Sequence, residues 1–92
     1  MLYLITYSIN KDKDHTSLHN AIKNAGEAWW HYIDTTWIIK TTESATEISN
    51  RLLPYIEKPD DSLLVIKVDP SVGNKQGWLP QKAWDWINEN GH

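Results

Sequence analysis

At 92 residues, with 40% hydrophobic and 23% charged side chains, the chain has room for one compact domain, which excludes both a two-domain and a disordered reading. A domain this short buries only about 60–65% of its unfolded surface, and with no cysteine it has no disulfide to help; its largest apolar groups are six Trp and four Tyr, with no Phe. Nine cations against twelve carboxylates, a formal −3, argue against an extensive cationic face for duplex nucleic acid, and Arg51 is the lone guanidinium.

The opening segment MLYLITYSIN lacks a basic n-region and a long apolar run. Neither a secretory signal nor a membrane span is expected there, and the cytoplasm is the expected compartment. Residues 2–9 are rich in β-branched and aromatic groups on both parities, which predicts a first strand covered on both faces. Asp14 or Thr16 can cap a helix carrying Leu18, Ala21, Ile22 and Ala25, with Gly26 ending it as a C′ residue. AWWHYI and TWIIKT, separated by Asp34-Thr35, read as a hairpin from Ala28 to Thr41. Ser44-Ala45-Thr46-Glu47 matches a capping box, and the helix it starts should present Ile48, Leu52 and Tyr55 before Pro54 ends or kinks it. SLLVIKVD reads as a fourth strand, Pro70 to Gly77 as a loop, and QKAWDWINEN, after Pro80, as a last helix.

The order predicts an α+β fold: a ferredoxin-like βαββαβ sandwich with antiparallel sheet order 4-1-3-2, plus a C-terminal extension and short helix. Residues 1–92 form a single domain on this reading, with 1–69 as core and 70–92 as a Trp-rich loop and helix. Two helices cover one sheet face, yet the strands are apolar on both parities. The second face should therefore be closed by the tail and by a second subunit, making a homodimer.

Phosphate loops, nucleophile elbows, a cysteine nucleophile and H-E-x-x-H are all missing from the sequence. His15 and His19, four apart on the first helix, could chelate an ion but lack an obvious third ligand, so a solvated helix face is the plainer reading. The expected topology brings Asp12, Asp14, Asp34, Asp60 and Asp61 to one end of the sheet. Such carboxylates suit Mg²⁺, which could activate a water, although turn and cap roles diluted by Lys11, Lys13 and Lys58 account for them more simply. No other cofactor is expected. Tryptophans could also stack on bases or a nucleotide. Trp37 reads as core, Trp29 and Trp30 point to opposite faces, and Trp84 and Trp86 are not expected to pack in the same direction.

YLITYSIN, AWWHYIDTTWIIKT, DSLLVIKV and GWLPQKAWDWI together resemble the small bacterial and phage SinR-family proteins. These are similar in turn to the CRISPR-associated Cas-two ribonuclease fold and the VapD toxins. The resemblance implies a ferredoxin-like homodimer acting in a defence or toxin–antitoxin setting. In the metal-dependent nucleases of that fold an Asp commonly follows the Tyr at the end of strand one; here Tyr7 is followed by Ser8. A hydroxyl is a poor substitute for a metal-binding carboxylate, which favours a non-catalytic role in binding nucleic acid, a nucleotide or a protein partner. Tyr7, Ser8, Trp30, His31 and Trp86 are the candidate binding residues. A Mg²⁺-dependent endoribonuclease and a pure protein-interaction module, such as an antitoxin or a phage anti-defence inhibitor, are the alternatives.

Overall fold

The computed structural model describes residues 1–9, 14–57, 59–71 and 73–91. The elements run β1 (Leu2–Ser8), α1 (Thr16–Ala25), β2 (Ala28–Ile33), β3 (Thr36–Lys40), α2 (Ala45–Leu52), β4 (Ser62–Val68) and α3 (Gln81–Asn90), with a 3-10 turn over Leu53–Tyr55. The four strands form one antiparallel sheet in the order β2-β3-β1-β4, which read from the other edge is 4-1-3-2. Asp12 lies outside the described residues, as do Lys11, Lys13 and Lys58.

Local chemistry explains most boundaries. The capping box forms: the Glu47 N–H donates to Ser44 Oγ at 3.1 Å, and the Ser44 N–H donates to Glu47 Oε1 at 3.2 Å. Pro54 enters the 3-10 turn that closes α2, because its ring cannot continue the α-helical ladder. Asp14 Oδ1 accepts the Thr16 N–H at 2.9 Å, so the carboxylate caps α1 from one residue before the N-cap position.

Gly26 departs from expectation. It follows α1 with φ −118° and ψ 156°, extended rather than left-handed, so it does not work as a C′ glycine. Its lack of a side chain is used for space: a Cβ there would meet Ile39 Cβ at 2.8 Å and the Ala28 carbonyl at 3.0 Å.

The hairpin turn at Asp34-Thr35 is made without a positive φ at any described non-glycine residue. The register shifts between Trp30 and Ile33, where Ile33 opposes Thr36 but Trp30 opposes Ile38. One extra β2 residue is thereby accommodated as a bulge. Because strand side chains alternate, that single residue decides the face taken by every β2 residue before it.

Two cores result. On the helix-covered face, Tyr3, Ile5, Tyr7, Trp37 and Ile39 pack with Leu18, Ile22 and Ala25 of α1 and Ile48 and Leu52 of α2. On the other face Trp30 packs with Ala83 and Ile87 of α3, flanked by Ile38, Leu79, Trp84 and Trp86. The tail thus folds back over the second face. The two late tryptophans both pack against the Trp30 cluster, but from opposite sides rather than in the same direction. At about 100° per residue they lie roughly 80° to either side of the Ala83–Ile87 stripe, so each ring closes one flank. Among the described residues, no helix is long and apolar enough to cross a membrane.

Candidate functional site

At the end of the sheet where β1 stops and the β2–β3 hairpin turns, α1 lays two imidazoles over the strands. Tyr7 Oη and His19 Nε2 are 2.5 Å apart, and the His15 and His19 rings are 5.8 Å apart. A third imidazole, that of the candidate His31, comes from β2: its ring lies 5.4 Å from that of His19 and stacks on Trp37 at 3.7 Å with an interplanar angle of 10°. His31 Nε2 is 2.7 Å from the Asp34 carbonyl. A carbonyl only accepts, so this nitrogen carries a proton.

Burial chiefly, then the neighbouring His31, His15 and Lys23, hold the His19 pKa below its ordinary value, with Asp34 opposing. Burial chiefly raises that of Tyr7. Both shifts favour neutral forms, so at neutral pH the Tyr7 hydroxyl donates to an unprotonated His19 nitrogen. The Trp37 indole opposes the Tyr7 shift, but its Nε1 sits buried without a partner in hydrogen-bond geometry. The ensemble is an imidazole–phenol relay on an indole floor, able to hold or pass a proton at His19.

Of the described carboxylates of the predicted cluster, Asp14 and Asp61 are occupied locally and Asp34 and Asp60 stand exposed. Asp14 caps α1, and its hydrogen bond to Thr16 holds its pKa below the ordinary value. Asp34 stands exposed at the hairpin tip, and Asp60 is exposed in the turn before β4. Asp61 is buried and clamps that loop: its Oδ2 accepts the Glu57 N–H at 2.9 Å while its own N–H donates to the Glu57 carbonyl at 3.0 Å. Among the described residues no group of three His, Asp or Glu side chains is placed to hold a metal ion. Ser8 is exposed at the end of β1, opposite Ser62.

Trp30 is no open stacking platform. It is 2% exposed and its Nε1 donates to the Ala83 carbonyl at 3.1 Å, fastening β2 to α3. Trp86 is half-buried beside it. Trp29 takes the opposite side, half-exposed at the sheet edge with Lys23 Nζ 4.8 Å from its ring centre. The Arg51 fork is held by Glu43, with Nε–Oε1 and Nη2–Oε2 both 2.7 Å, which turns it from a phosphate receptor into a surface tie.

The second face is only partly closed. Between the sheet and the loop before α3 lies a cavity of about 290 Å³, with Leu2, Leu4, Trp30, Ile38 and Ile87 among its walls and Lys75 and Gln76 at its border. Beyond it the β4 residues Leu64 and Ile66 are 52% and 49% exposed. Ile66 opposes Leu4, so the apolar strip is continuous with the cavity. His31 and Tyr7 are both candidates from the sequence, but their meeting around His19 and this cavity are not visible there, since each depends on contacts between distant elements. No protein-family model matches the chain and no curated protein matches it.

Proposed function

We propose that this chain works by association rather than by metal-dependent catalysis: a ferredoxin-like, Cas-two-like protomer that pairs with a second copy and serves as a protein-binding module. The ferredoxin-like assignment is supported by the antiparallel order β2-β3-β1-β4 together with helices following β1 and β3. The observation that carries the proposal is the uncovered half of the second sheet face, where Leu64 and Ile66 stand half-exposed beside the docked α3. The bacterial or phage defence setting comes from the sequence resemblance.

The nuclease alternative is less well supported. Ser8 supplies no carboxylate, and each described Asp of the predicted cluster stands apart or serves its own loop or cap. Nucleotide or nucleic-acid binding is less well supported than protein association: the lone guanidinium, Arg51, is tied to Glu43 and the candidate ring Trp30 is fastened to α3, although Trp29 and Trp78 remain exposed.

Sedimentation velocity from 1 to 100 μM tests the proposal, concentrations chosen as about those at which modest interfaces assemble. A dimer that Leu64→Glu converts to monomer, with no cleavage of labelled RNA in Mg²⁺ or EDTA, is the expected result. A strictly monomeric protein, or metal-dependent cleavage lost in Asp→Ala variants, would overturn it.

A further inference from the structure

Trp78 is 90% exposed, far more than any other Trp in the chain. It cannot simply turn inward. Leu79 beside it already packs against the Trp30 cluster, and the following Pro80 restricts Leu79 to extended backbone, which leaves Trp78 displayed to solvent just before α3.

The loop that carries this ring borders the cavity, although Trp78 itself does not line it. Gln76 and Leu79, on either side of Trp78 in the loop, both line it, as do Leu4 and Ile38 from the sheet. Its volume of about 290 Å³ compares with the ~150 Å³ of an apolar cavity that admits benzene, so a bicyclic indole is a reasonable fit.

We infer that, in the dimer proposed above and resting on that reading, Trp78 of each protomer inserts into the cavity of the other. The loop that carries the ring also forms one wall of the socket, so a two-fold axis beside that loop can bring each ring to the partner's socket, an isologous exchange. The area supports a second copy as the occupant. A buried aromatic removes about 150–250 Å², and counting both rings and the smaller area of both socket walls the exchange covers roughly 500–700 Å². The half-exposed Leu64, Ile66, Tyr32 and Ile33 side chains of the two copies bring this to the order of the ~1,200 Å² at which stable interfaces begin.

The test combines sedimentation with ¹⁹F NMR of 5-fluorotryptophan protein, the Trp78 resonance being assigned with Trp78→Phe. The expected result is a dimer whose dissociation constant rises at least about 30-fold in Trp78→Ala, as for an interface anchor, and a Trp78 resonance that loses its solvent isotope shift only as dimer forms. Because Trp78 is exposed, the substitution leaves the monomer's melting curve unchanged. A Trp78→Ala dimer as tight as wild type, with Leu64→Glu still monomeric, overturns the exchange and leaves the dimer standing. A wild-type protein monomeric at 100 μM overturns both. A Trp78 resonance already shielded in the monomer overturns the exchange in favour of insertion into its own cavity.

Discussion

Replacing Trp30 by Ala should release α3 from the domain without unfolding the main core. Trp30 is the largest member of the second cluster and supplies the buried hydrogen bond to Ala83. Truncating a buried aromatic costs about 3–5 kcal/mol, against a total of about 5–14 kcal/mol for a domain of this length. An isolated helix of ten residues is marginal in water, so α3 has little to hold it once its platform is gone. The loss in global stability is then capped by the docking free energy of α3, because detachment becomes the easier response. Amide exchange followed by NMR, beside urea melts, separates the two responses. The amides of α3 should approach unprotected rates while those of β1 and β3, on the main core, stay protected. Trp30→Phe, which keeps a ring but drops the indole donor and leaves a small cavity, should cost about 1–3 kcal/mol, less than Trp30→Ala, and leave α3 docked. Equal loss of protection in α3 and β1 would refute the separation into two cores, and unchanged protection in α3 would refute Trp30 as its anchor.

Two further outcomes follow from particular contacts. The His19 pKa is lowered on folding, so the unfolded chain binds more protons over the window between the two values. Stability contributed by this group is complete above about pH 6.5, the unfolded value, and is lost as pH falls toward the folded value. Thermal melts from pH 8 to 5 should show that slope and His19→Gln should flatten it; an unchanged slope would remove His19 as its source. Gly26→Ala should destabilise by about 1–3 kcal/mol by overpacking against Ile39 Cβ, read as a lower urea midpoint. A neutral or stabilising result would mean the α1–β3 approach relaxes freely.

Features set by neighbouring residues were legible in the sequence. The Ser44–Glu47 box and the stop at Pro54 depend on three or four consecutive positions, and both formed. The paired apolar parities of β1 likewise implied cover on both faces, and α3 supplies part of it. What could not be read was register. An unshifted hairpin from the Ile33–Thr36 pair would set His31 opposite Ile38 and Trp30 opposite Ile39, placing each on the other face. The bulge instead sends Trp30 to α3 and His31 onto Trp37, and no local pattern announces one extra residue. The Tyr7–His19 contact was hidden for a related reason, since it depends on where α1 lands on the sheet. The different directions of Trp84 and Trp86 were legible in helical spacing, but not that two indoles are wide enough to wall one stripe from both sides.

The same bulge makes the two borders of the sheet unequal as templates for adding a strand. β2 carries a broken ladder, and a border with shifted register presents its outward N–H and C=O groups out of step for an incoming chain. β4 is paired along all seven of its residues without a shift, so its backbone is in step from Ser62 to Val68. Lengthening of this sheet by another polypeptide, whether a partner's strand or an aggregating copy, is therefore directed to the β4 border and guarded against at β2.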